Sequence, residues 1–177
     1  MKIGILGKSI LELADAPWSD TSWQLWGLNY GYFMDEENFN PSIFPRFNKW
    51  FDLHSYENEP QDEKFKSYLR FLEKHDSIRQ ENYPIEGIVR HFNTEFFKNS
   101  IALMIAYALY KYPDLTDIGL WGIELHSPHS KYYDTEDCTL FWLGIAHERG
   151  IKIHTSINSK LYKNKETGIY AFNRTIL

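Results

Sequence analysis

Short apolar runs alternate with amphipathic stretches along this chain. Lys2–Leu6 is an apolar run closed by Gly7, which predicts a buried first strand. Ser22–Leu28 (SWQLWGL) and Asn48–His54 (NKWFDLH) predict a second and a third, with Asn29-Tyr30 and His54 delivered at their ends. Ser77–Glu81 is a shorter and more polar fourth candidate. Between these runs, Lys64–His75 spaces Phe65, Tyr68, Leu69 and Leu72 as one face of a helix, with charges on the other. Ser9 heads a short helix after the first strand, with Glu12 at the capping-box spacing.

The second half of the chain has the same grammar. Thr94–Lys111 reads as a long buried helix that stops at Tyr112-Pro113 and feeds the apolar strand Ile118–Ile123. Thr135–Arg149 is a helix with Leu140, Phe141, Leu143, Gly144 and Ala146 as its packing face and Gly150 as its C-cap, followed by the strand Ile151–His154. The β-prone tail Thr167–Phe172 suits an edge hairpin. The order β-α-β-β-α-β-α-β-α-β predicts an α/β fold: a Rossmann-like, mostly parallel sheet with helices on both faces, in a single domain over residues 1–177. In such sheets ligands bind at the carboxyl ends of the strands, which directs attention to Glu124 and the polar loop after it.

Composition narrows the function classes. The formal net charge is -5 with no basic run, a poor basis for gripping nucleic acid through its phosphates. No window approaches 18 apolar residues, so no membrane span is expected, and the apolar part of MKIGILGKS is too short for a signal peptide. The single cysteine, Cys138, permits no intramolecular disulfide and suits a reducing, cytoplasmic compartment. Aromatics make up 17% of residues, a surplus compatible with a homodimer interface as well as with a rich core.

Candidate chemistry gathers at the strand ends. Gly7-Lys8-Ser9 offers backbone N–H groups and a cation to a phosphate, although it is neither GxGxxG nor GxxxxGKS and also reads as an ordinary β-α turn. Asn29, with Tyr30 and Tyr32, suits reading a base edge or sugar hydroxyl, or else caps a loop. An imidazole ordinarily titrates near neutrality, so His54 suits a general base; Asp52, two residues earlier on the same side of a strand, is its natural partner. The other reading of His54 is a structural imidazole. Asn99 and Ser100 stand near a helix start and offer donors to an anion.

In the loop Glu124–Asp134, Tyr132 or Tyr133 offers a hydroxyl to phosphate. His126 and His129 with Asp134 or Glu124 resemble a metal set. However, HxxH off a helix does not align both imidazoles, and no fourth ligand is evident, so neither a metal nor another cofactor is expected. Cys138, Trp121 and Trp142 read as packing residues.

Taken together, these segments resemble an uncharacterised family of small phage and prophage proteins. The resemblance rests on Gly7 and Ser9, Trp26-Gly27, WFDLH at Trp50–His54, SIALM at Ser100–Met104, GLWGIE at Gly119–Glu124 and RGIKI at Arg149–Ile153. That family brings no established activity.

More distantly, the motif order is similar to bacterial sialyltransferases of the Campylobacter type. There a glycine-rich first turn and an Asn after the second strand hold the donor's cytidine nucleotide, and a Tyr-bearing loop grips its phosphate. The resemblance implies a nucleotide or nucleotide-sugar ligand held by Gly7-Lys8-Ser9, Asn29, Asn99-Ser100 and Tyr132-Tyr133, with Glu124 beside them. The departures are a first turn without the enzymes' Asn, and a chain that enters the helix Thr135–Arg149 where the enzymes carry a lid with a catalytic His.

Three readings follow. The first is a small transferase whose base is His54, or His126 or His129 from the loop. The second is a non-catalytic protein that sequesters a host defence signalling nucleotide. The third is an accessory factor that binds another protein.

Overall fold

Six short strands form one sheet in this computed structural model, which describes residues 1–29, 31, 46–56, 61–125, 135–159 and 161. The strands are β1 (Lys2–Leu6), β2 (Trp23–Leu28), β3 (Phe47–Asp52), β4 (Ser77–Arg79), β5 (Asp117–Trp121) and β6 (Lys152–Thr155). Their order is β4-β3-β2-β1-β5-β6. Every neighbouring pair is parallel. The chain therefore winds outward in one direction through β2, β3 and β4, then returns to add β5 and β6 on the other side of β1. This is the doubly wound arrangement, with its topological switch between β1 and β5.

Parallel strands need crossovers, and among the described residues five helices supply most of them: α1 (Ile10–Leu13), α2 (Glu63–Lys74), α3 (Ile85–Phe92), α4 (Ser100–Lys111) and α5 (Glu136–Glu148). Strand alternation divides the core between the two faces. Ile3, Ile5, Trp26, Phe51, Ile118 and Leu120 pack with residues of α3, α4 and α5. On the opposite face Leu6, Leu25 and Trp121 meet Leu13 of α1, while Trp50 meets Phe65, Tyr68, Phe71 and Leu72 of α2. Fully burying such an aliphatic or aromatic side chain contributes roughly 1.5–3 kcal/mol.

Glycines make room for the indoles. A Cβ at Gly27 would stand 2.2 Å from the Trp50 ring, and one at Gly119 would stand 2.0 Å from Trp121. At the far edge His154 Nε2 lies 2.7 Å from Asp117 Oδ1, tying β6 to β5. Burial pushes the Asp117 carboxyl up, but hydrogen bonds from Thr116 and His154 and the charges of His154 and Lys2 outweigh it, leaving it below its ordinary value.

The expected fold is the observed one, with corrections at element ends. The long helix was expected from Thr94, yet α4 starts at Ser100. The cause is Asn99, whose Oδ1 accepts the Ala102 N–H at 2.8 Å and caps the helix. β3 ends at Asp52 rather than His54, and β5 at Trp121, before Gly122 turns into a left-handed conformation (φ 71). α3 has no counterpart in the sequence reading. The expected edge hairpin Thr167–Phe172 lies outside the described residues.

Candidate functional site

The first turn after β1 is stapled to the end of β5. Gly7 N–H donates to the Trp121 carbonyl at 2.7 Å, and Ser9 N–H to the Gly122 carbonyl at 3.0 Å. The approach is close enough that a Cβ on Gly7 would stand 2.1 Å from the Gly122 oxygen. Glu12, on the single turn α1, is buried. Its Oε2 accepts the Ile123 N–H at 3.0 Å. The expected capping box is therefore not formed: Ser9 sits at the N-cap position without a side-chain cap bond, because the Glu12 carboxylate is drawn to the sheet end instead.

At the end of β2, Asn29 adopts the left-handed region (φ 45), which Asn tolerates better than most residues. Its surroundings fix it there. The carbonyl accepts from Trp50 Nε1 at 3.1 Å and from the Tyr68 hydroxyl at 2.9 Å. The side-chain oxygen accepts the Leu53 N–H at 3.3 Å, and the side-chain nitrogen donates to Ser100 Oγ at 3.1 Å. One residue thus joins the ends of β2 and β3 to the start of α4.

Asn99 does similar work between helices. While capping α4 it donates from Nδ2 to the Thr135 carbonyl at 2.9 Å and to Thr139 Oγ1 at 3.0 Å. Its side chain is thereby committed within the protein. In the first turn of α4 the Ser100 and Ile101 N–H groups have no preceding helical turn to accept them, which concentrates positive potential there.

These ends enclose a cavity of about 770 Å³ at the carboxyl edge of the sheet, over the β1/β5 switch. Gly7, Lys8 and Ser9 line it from β1, Leu28 and Asn29 from β2, and His54 and Ser55 from β3. Gly122, Ile123, Glu124 and Leu125 line it from β5, and Asn99, Ser100 and Ile101 from α4. Lys8, Ser55 and Glu124 are exposed at this cavity, whereas Asn29 is buried. Among the described residues, no three His, Cys, Asp or Glu side chains gather as a metal ion would require.

The structure thus brings together Gly7, Lys8, Ser9, Asn29, His54, Asn99, Ser100 and Glu124, which the sequence scattered over nearly 120 positions. Asp52 stands apart from the cavity lining. It is 1% exposed, and its Oδ2 accepts from the Tyr56 hydroxyl. Burial lifts its pKa to about 6, against the lowering effects of the Tyr68 hydroxyl, the His54 backbone N–H and Arg79. Tyr132 and Tyr133 lie outside the described residues, as do Tyr30, Tyr32, His126, His129 and Asp134.

Sequence reasoning missed the apolar part of the lining, Leu28, Ile101, Ile123 and Leu125. It also missed Tyr68, read only as part of a helix face, whose hydroxyl reaches the strand ends. The signal for Tyr68 was a phenol within an otherwise hydrocarbon stripe, since a buried hydroxyl needs a partner.

No family model matches this chain, and no curated protein does. Among solved structures, it is similar to the sialyltransferase CstII in complex with a trisaccharide acceptor and CMP, with 16% identity and a TM-score of 0.49 over 91% of this chain and 83% of that one. It is also similar to CstII from Campylobacter jejuni in complex with a substrate analogue, with 17% identity and a TM-score of 0.47 over 90% and 83% of the two chains.

Proposed function

We propose that this chain binds a nucleotide or nucleotide sugar in the cavity over the β1/β5 switch, and that it acts on the sugar donor as a small glycosyltransferase-like enzyme. The observation that carries the reading is the convergence of the Gly7-Lys8-Ser9 turn, Asn29, His54, Ser100 and Glu124 on one cavity at that switch. Its volume falls within the range of pockets that hold small molecules. A phosphate group at the start of α4 meets the helix's positive end and its first-turn N–H groups, with the Lys8 ammonium on the same cavity. Leu28, Ile101, Ile123 and Leu125 supply apolar surface for a base and ribose.

Among the described lining residues, His54 is the one whose ordinary pKa lies near neutrality, which makes it the base for an acceptor hydroxyl. Asp52 stands behind the lining rather than beside a substrate, so among the described residues the proton chemistry falls to this imidazole. That same observation favours a second reading. If His54 proves dispensable, the site is one that sequesters a nucleotide without changing it.

The test is isothermal titration with a panel of nucleoside monophosphates, nucleoside diphosphates and nucleotide sugars. Lys8→Glu reverses a charge at an exposed cavity residue and leaves the core untouched. Affinity for the tightest-binding nucleotide is expected to fall by at least about tenfold, roughly 1.4 kcal/mol, with an unchanged circular dichroism spectrum. An affinity equal to that of the unaltered chain removes Lys8 from the phosphate site.

A further inference from the structure

Behind the His54 wall lies a buried carboxyl for which the proposed binding chemistry has no use. Asp52 ends β3, in register with Arg79 at the end of β4. The Tyr56 hydroxyl donates to its Oδ2, and the His54 backbone N–H also favours its charged form. The Tyr68 hydroxyl donates to the Asn29 carbonyl at 2.9 Å, while the Asn29 side chain holds the Leu53 N–H at 3.3 Å and reaches Ser100 Oγ at 3.1 Å. Asn29 at Leu53 and Asp52 at Tyr56 thus hold the segment 53–56 from its two ends, and that segment carries His54 and Ser55 to the cavity.

We propose that Asp52 is a positioning residue: its buried carboxyl latches His54 and Tyr56 at the cavity wall, and proton uptake by that carboxyl tightens the latch. Solvent exclusion acts in the required direction. Burial, the largest influence, raises the pKa from the ordinary 3.8 to about 6. The groups that face it are Tyr56 and the His54 backbone on its own segment, Tyr68 on α2, Arg79 at the end of β4 and Glu81 just beyond. Arg79 lowers the pKa and Glu81 raises it.

When the latch opens, the carboxyl meets water and returns toward 3.8. A group whose pKa is raised in the closed state favours that state fully at pH below its open-state value, and the advantage is lost as pH rises through about 6. Between pH 5 and pH 7 the equilibrium therefore moves roughly tenfold toward the open form.

The latch depends on the nucleotide reading only for its purpose, and it is tested on the protein without ligand, so the two ideas fail separately. Hydrogen exchange of the Leu53 and His54 amides is followed by NMR at pH 5 and pH 7 and corrected for the intrinsic exchange rate. The expected result is roughly tenfold more opening at pH 7, a dependence absent in Asp52→Asn. Tyr56→Phe removes one hydroxyl and no charge, so opening rises at both pH values while the dependence persists. Because an imidazole ordinarily titrates in this window, the measurement is repeated on His54→Gln, which is expected to keep the dependence. Equal opening at the two pH values, a dependence surviving in Asp52→Asn, or one lost in His54→Gln overturns the proposal. If Asp52→Asn fails to fold, the unaltered chain and His54→Gln still decide it.

Discussion

Alanine at Gly7 is expected to abolish ligand binding in the cavity and to destabilise the fold by about 3 kcal/mol, near the upper end of ordinary overpacking. A methyl group there has nowhere to go. Its nearest neighbour, at 2.1 Å, is the backbone oxygen of Gly122, which cannot rotate away as a flexible side chain would. Gly122 itself has φ 71, and a Cβ on it would stand 3.0 Å from the Gly7 carbonyl carbon, so the two glycines require each other. Relief means separating the first turn from the end of β5. That breaks the Gly7–Trp121 and Ser9–Gly122 hydrogen bonds and parts two walls of the cavity. Urea denaturation monitored by tryptophan fluorescence, paired with nucleotide titration at temperatures where the variant stays folded, checks both effects. Retained affinity in the folded variant removes the first turn from the binding site.

Alanine at His54 is expected to lower sugar transfer or donor hydrolysis by about 10²–10⁴-fold, the usual contribution of a positioned general base. Nucleotide affinity is expected to stay within about threefold of the original. The two effects separate because the phosphate and base contacts proposed above come from the first turn, the start of α4 and the apolar lining, whereas His54 arrives from the end of β3. Release of free nucleotide from a nucleotide sugar, measured in a single turnover, gives the rate, and titration gives the affinity. A variant as fast as the unaltered protein removes His54 from the chemistry.

The fold was largely legible because parallel strands buried on both faces must be written as short apolar runs. Lys2–Leu6, SWQLWGL and GLWGI show this plainly, each carrying glycine where an indole or a backbone approaches. α3 was not legible. It is only eight residues long and contains Gly87, so propensity spoke against it, and burial of Ile88 against the core holds it in place. The stretch 94–99 carries helical spacing but yields to Asn99, whose capping bond starts α4 six residues later than periodicity suggests.

The site was legible as a set of positions and less so as a set of contacts. Strand ends in a doubly wound sheet converge, so residues placed after β1, β2, β3 and β5 had to meet near the switch. Which of their atoms face a ligand depends on partners that no spacing reveals. Asn99 spends its side chain on α4 and α5, and Asn29 is held at both ends of its amide. The alternation rule that placed Asp52 beside the His54 ring assumed a strand running to residue 54. With β3 ending at Asp52 the rule no longer applies, and the carboxyl turns to Tyr56 and the backbone. Among the described residues, the largest aromatics go inward: Trp26, Trp50, Trp142, Tyr68 and Phe51 are all fully buried.

The most direct measurement of the central claim is mass spectrometry of the purified protein after incubation with a mixed pool of nucleotides and nucleotide sugars, with bound species released by heat. Selective retention of one nucleotide class is expected, with free nucleotide appearing from its sugar conjugate and retention lost in Gly7→Ala. A ligand retained and returned intact shifts the conclusion to sequestration. Retention of nothing from the pool contradicts the assignment of this cavity to a nucleotide.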